Sequence, residues 1–236
     1  MLKKITRSKD RGYFDYGWLK TFHTFSFSSY YNTERMNFGK LRVLNDDTIA
    51  PATGFDLHPH DNMEIITIPF TGELRHGDSE GHTQVIKPGD VQVMSAGSGI
   101  RHSEFNNLET DSVNLFQIWI FPKERNINPR YDQKTFNSAD RQNKFQLIAS
   151  SDKNSGNLWI NQDAWLWLAN ISRDMSQNYN LKQNGNGIFI INIEGKISVA
   201  DEILDKRDSI ELQDVSEIEI KALEDSEILL IEVPMK

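Results

Sequence analysis

Residues 54–65 read "GFDLHPHDNMEI": two histidines on either side of a proline, and a glutamate four residues after the second. Pro59 holds φ near about −65° and offers no amide to a β-ladder, so it suits an extended segment but sits poorly inside a central strand. In an extended chain residues i and i+2 share a face. His58 and His60 therefore aim their imidazoles at one place. A second i, i+2 pair, His102 and Glu104, follows in "SAGSGIRHSEFN" (95–106), where the glycines let the backbone turn tightly into a strand. Pairing these segments across a barrel brings three imidazoles and a carboxylate together. Three nitrogens and one oxygen suit a borderline divalent metal such as Fe, Ni, Cu, Mn or Zn, and four protein ligands leave a position open for substrate.

Outward from this point the chain is a series of short apolar runs. "MEIITI", "DVQVMS", "VNLFQIWIF", "AWLWLANI", "GIFIINIEG" and "EILLIEV" are rich in β-branched and aromatic residues and bounded by turn formers. No stretch keeps a helical period for long. Many short strands with frequent turns predict an all-β sandwich or barrel. A weak repeat supports a duplication: "EIITIPFTGELRH" and "VNLFQIWIFP" in the first half answer to "GIFIINIEGKISV" and "SEILLIEVP" in the second. The polar segment between, with two prolines, reads as a linker. The expected division is a metal-binding unit over 1–122, a linker over 123–141 and a second unit over 142–236. All six histidines precede residue 142, and the second unit has neither histidine nor cysteine, so it is expected to hold no metal.

Composition excludes several classes. The 236 residues carry 26 basic against 34 acidic groups and a formal charge of −8, without a Lys/Arg block, which argues against direct nucleic-acid binding. There is no cysteine, hence no disulfide and no thiolate chemistry. The first residues lack the apolar core of a secretion signal, and no run is long enough to span a membrane. A cytoplasmic location is expected.

The motifs also carry a resemblance. "GFDLHPHDNMEIITIPFTGEL" resembles the first cupin motif and "GDVQVMSAGSGIRHSEFN" the second. With "RGYFDYGWLKTFHTFSFSSYY", "FGKLRVLNDDTIAP" and "FQIWIFP", they resemble the pirin family, especially its bacterial quercetinase-like members, over nearly all of residues 11–122. The second half is similar to the family's metal-free barrel more loosely. The resemblance implies a bicupin: two jelly-roll-type β-barrels in one chain. It implies one divalent metal, iron first among Fe, Ni, Cu, Mn, Co and Zn, on His58, His60, His102 and Glu104.

A standard cupin would take Glu64 as the fourth ligand. The pirin pattern takes Glu104 and leaves Glu64 to orient an imidazole or to stand at the rim. The implied activity is that of a quercetin 2,3-dioxygenase, which opens the heterocycle of a flavonol with O2 and loss of CO, with Glu104 as candidate base. Met63, Ile66 and Met94 are candidates for the pocket wall. Gln117, which interrupts an apolar run, needs buried partners and is a candidate beside the site. His76 and His82 are read as turn residues, and His23 as a core histidine. Asp61 departs from relatives that carry a basic residue there and makes the mouth more acidic. Two other readings go with the resemblance: an iron-binding, redox-responsive regulator acting through protein partners, and a metal cupin with a non-flavonoid substrate.

Overall fold

The computed structural model describes residues 1–236. Its strands in the first half are β1 (Leu2–Thr6), β2 (Gly12–Asp15), β3 (Leu19–His23), β4 (Leu41–Ile49), β5 (Gly54–His60), β6 (Glu64–Thr71), β7 (Leu74–Asp78), β8 (Thr83–Ile86), β9 (Asp90–Ser95), β10 (Ile100–Asn106), β11 (Val113–Ile120) and β12 (Arg130–Thr135). Helical structure is limited to two 3-10 turns, Ser8–Asp10 and Ser138–Arg141. The order β12-β9-β6-β11-β4-β3-β2 makes a seven-stranded sheet, and β5-β10-β7-β8 a four-stranded one. The second half repeats the plan with another seven- and another four-stranded sheet. The fold is the expected bicupin, each unit a jelly roll of two sheets.

The central strands are apolar on both faces, and each face has its own destination. Ile66 and Ile68 of β6, Val91 and Val93 of β9, and Phe116, Ile118 and Ile120 of β11 point out of the first unit. There they meet Phe189, Ile191, Leu229, Ile231 and Val233 in one cluster of 25 buried residues. The largest core thus lies between the two units, large sheet against large sheet. At about 1.5–3 kcal/mol for each fully buried large apolar side chain, this contact binds the halves into one body.

Two strands depart from the expected division. β1 is the edge strand of the second unit's large sheet, pairing antiparallel with Ser209–Gln213. The segment read as a linker contains β12, which pairs with β9 along Arg130–Thr135. The C-terminus crosses back as well: Pro234 accepts a backbone hydrogen bond from Lys40 at 2.9 Å. The strands β2, β3 and β4 lie in a region whose motifs were recognisable but whose strand pattern was not. They contribute one edge of the site.

Candidate metal centre

Pro59 stands where its missing amide is tolerated: β5 is the edge of the four-stranded sheet, and Pro59 faces Arg101 of β10. The same pairing sets His102 directly opposite His58. A bulge between His102 and Glu104 shifts the register, so that Glu104 faces Phe55. Gly97, in the left-handed region with φ +50°, leads into this strand, and a Cβ there would collide with the carbonyl of Ile127. The result is a cluster of three rings. Centroids of His58 and His102 lie 4.4 Å apart, His60 and His102 4.8 Å, and His58 and His60 4.9 Å. One ring nitrogen from each can lie within 4.8 Å of the others.

The surroundings keep His60 and His102 neutral. Burial, and then the neighbouring imidazoles, push His60 down to about 4; burial and then His58 push His102 down to about 3. His58 Nδ1 lies 2.8 Å from the carbonyl of Asp56. A carbonyl only accepts, so Nδ1 carries the proton and Nε2 presents its lone pair. His102 is 1% exposed, yet neither of its ring nitrogens has a hydrogen-bond partner. Buried polar atoms without partners are rare and call for a ligand. Three imidazoles, one of them otherwise unsatisfied, are a donor set that a divalent transition metal takes.

Glu104 lines the same cavity. Gln117 donates from Nε2 to both its oxygens, at 2.9 and 3.1 Å. The Thr67 hydroxyl donates to Gln117 Oε1 at 3.1 Å, which fixes the amide with its nitrogen toward Glu104. The buried amide expected at Gln117 is therefore both satisfied and part of the site.

Comparison with known proteins agrees with this geometry. A family model described as Pirin matches residues 4–120, and one described as the quercetinase C-terminal cupin domain matches residues 147–233. The quercetin 2,3-dioxygenase of Escherichia coli K12 is 38% identical over 230 residues, covering 98% of both chains. The chain belongs to the pirin family. A pirin-like protein of Caulobacter vibrioides is 43% identical over 219 residues, 92% of this chain and 94% of that one. The crystal structure of a bacterial pirin from E. coli in complex with nickel(II) superposes with a TM-score of 0.94 at 36% identity, covering 99% of each chain.

Other sequence candidates fall elsewhere in this pirin. Glu64 does not face the histidines. It points out of the first unit, where Ser95 Oγ donates to its Oε2 at 2.7 Å and the backbone amide of Asn161, in the second half, at 3.1 Å. Burial raises its pKa to about 7. It is neither an imidazole-orienting group nor a rim carboxylate but part of the seam between units. Ile66, on the same face, belongs to the inter-unit core and walls no pocket. Met94 and Met63 pack with Ile65, Ala96, Ile100 and Trp119 in a small cluster beside the site, outside the cavity lining. His76 and His82 both bond Asp78, and Tyr131 packs against both rings. Burial alone would raise the Asp78 carboxyl, but hydrogen bonds from His76 and His82 outweigh it and lower the pKa. His23 is buried among Phe14, Phe27 and Tyr30, and desolvation lowers it to about 4.

The cavity at the histidines, about 170 Å³, is completed by Phe27, Asn45, Asp47, Phe55 and Trp119. A second cavity of about 230 Å³ shares Phe27, Asn45, Asp47 and Phe55 with it and extends past Trp18 and Tyr16. Asn45 and Asp47 escaped the sequence reading, although they interrupt the apolar run "LRVLNDDTI" as Gln117 interrupts its own. The register explains them. His23, Asn45, Gln117, Thr67 and Gln92 lie directly opposite one another across five adjacent strands, a polar row on the inner face of the large sheet.

Proposed function

We propose that this chain is a metal-dependent dioxygenase of the quercetin 2,3-dioxygenase type, opening a flavonol-like aromatic with O2 at a site made of His58, His60, His102 and Glu104. The observation that carries this reading is the convergence of three imidazoles, with His102 lacking any other partner, beside a carboxylate steered by Gln117. The activity given in the name of the E. coli relative supports the reaction, and the nickel complex of the E. coli pirin supports a divalent ion on these residues. Nickel takes its place beside iron as a candidate, since three nitrogens and an oxygen suit both.

A divalent ion held there supplies Lewis acidity toward a substrate oxygen. The chain does the rest. Phe27, Phe55, Trp18 and Trp119 form apolar walls that hold a planar ring system and thin out water around it. Glu104, through a carboxylate oxygen, takes the proton of the substrate hydroxyl that faces the histidines. Gln117, locked by Thr67, orients that carboxylate and stabilises it while ionised. The electron-rich flavonolate then reacts with O2 in the enclosed cleft.

The test is consumption of quercetin by protein stripped of metal and reloaded with nickel, iron or manganese. Turnover with at least one metal and none in the stripped protein is expected. Equal, negligible consumption in all samples would remove the oxygenase reading and leave a metal-binding protein.

A further inference from the structure

Asp47 is the least satisfied carboxylate in the molecule's interior. Its neighbour Asp46 faces the other way and has Arg11 at 3.3 Å, Arg207 at 3.7 Å and the Asn114 amide at 3.0 Å. Asp47 faces inward at 5% exposure, and its Oδ1 has no hydrogen-bond partner. The Thr21 hydroxyl, across the ladder on β3, lies near it and favours its charged form, but this hydroxyl has no hydrogen-bond partner either. Burial, with the charges of Asp46 and Glu104 added, raises Asp47 to about 7. Asn45, two residues before it on the same face, has a buried Oδ1 that is likewise unpartnered.

These unfilled acceptors occupy one place. Asp47 and Asn45 line both the histidine cavity and the aromatic cavity beyond it, so they stand at the junction of the two. A buried acceptor left bare costs about 1–3 kcal/mol, and more for a charged group. Nothing in the chain offsets that cost here, whereas the other carboxylate of the cleft, Glu104, has both oxygens bonded by Gln117. A ligand that brings a donor to the junction would offset it.

We propose that Asp47, with Asn45 beside it, is the specificity-determining acceptor of the cleft, and that it selects aromatic ligands carrying a further hydroxyl besides the oxygen presented to the histidines. This rests on the cleft being the substrate site. It narrows the substrate class to polyhydroxylated aromatics: the walls take the ring, the histidine end takes one oxygen and Asp47 takes the proton-bearing face of another. A ligand hydroxyl that donates to this otherwise bare oxygen should bring roughly a tenfold preference. A ligand without the second hydroxyl leaves Asp47 bare and gains nothing from it.

The experiment is anaerobic binding to nickel-loaded protein, followed by quenching of the fluorescence of Trp18 and Trp119, with quercetin and with 3-hydroxyflavone, which lacks the additional hydroxyls. The wild type should prefer quercetin by about tenfold or more. Asp47→Leu should weaken quercetin by a similar factor and leave 3-hydroxyflavone within about threefold, so the preference collapses. Asp47→Asn, which keeps an oxygen and the shape, guards against misfolding of the leucine variant and should lose part of the preference. A preference that survives in both variants, or an equal loss for both probes, would overturn the assignment. Failure of quercetin to bind the wild type would overturn it together with the proposed function. Selective binding without consumption of quercetin in air would overturn only the function.

Discussion

The interiors of the two units share a plan and have opposite chemistry. In the first, the row across the central strands is His23, Asn45, Gln117, Thr67 and Gln92. In the second, the corresponding row is Ile210, Ile190, Leu230 and Trp167. The second interior is one cluster of 15 buried apolar residues. The first keeps only clusters of six and four at its two ends, with the histidines and Glu104 between them. Buried carboxylates differ in the same way. Glu232 in the second unit accepts from Tyr179, Asn186 and the amides of Lys182 and Gln183. Asp47 in the first has no such set. A duplicated fold can leave one copy to packing, and the shared core between the units then supports a copy whose centre is spent on polar groups.

The largest effects should fall in the first interior. Glu104→Gln keeps the size of the side chain and removes its charge and most of its basicity. It should lower flavonol turnover by about 10²–10⁴-fold, the scale of a general base, while much of the bound metal stays. If metal and turnover fall together, Glu104 is a ligand and not the base. His102→Ala should come next: bound metal, measured by elemental analysis, should drop steeply, while the thermal transition of the metal-free protein moves little.

Stability should respond in the opposite sense in the two rows. Ile190→Asn removes a fully buried side chain from the second interior and leaves an amide without partners. It should cost about 3–5 kcal/mol in urea unfolding. Gln92→Leu acts in the first interior, where both side-chain polar atoms of Gln92 are buried and unpartnered. It should be neutral or stabilising by about 1 kcal/mol. Similar losses for the two variants would break the contrast between the interiors.

The seam between the units should show itself in the pH dependence of stability. Glu64 has its pKa raised to about 7, above the unfolded value, so its contribution to stability is full below about 4.5 and is lost as pH rises through 7. Glu64→Gln should flatten that alkaline loss, worth at most about 3 kcal/mol, without changing metal content. His23 has the opposite sense. Its folded pKa of about 4 lies below the unfolded value, so stability is full above about 6.5 and falls as pH drops toward 4. Unfolding free energy measured from pH 4 to 9 in the wild type and in Glu64→Gln checks both limbs.

The fold and the cluster of side chains at the candidate site were legible for one reason. His58, His60, His102 and Glu104 sit at i, i+2 spacings, on the edge strand β5 and on β10, whose burial alternates, so that side-chain direction follows from parity alone. Glu64 and Ile66 share a parity too, but β6 is buried on both faces, so alternation could not say which face was inward. Asn45 and Asp47 were missed because the consecutive polar residues Asn45, Asp46, Asp47 and Thr48 break the alternation that marks a strand. The partner of β1 was invisible because "LKKIT" is a short, charged edge whose mate lies two hundred residues away. β12, "RYDQKT", was hidden by a polarity that suits an edge strand as well as a linker.

The most direct test of the contrast is an anomalous-difference map at the nickel edge from crystals of the nickel-loaded protein. The account predicts one peak per chain, within about 2.0–2.2 Å of nitrogens from His58, His60 and His102, the range for first-row divalent ions such as zinc, with Glu104 as the adjoining carboxylate. A peak at Glu64, or within residues 142–236, or three histidines turned away from one another around no peak, would contradict it.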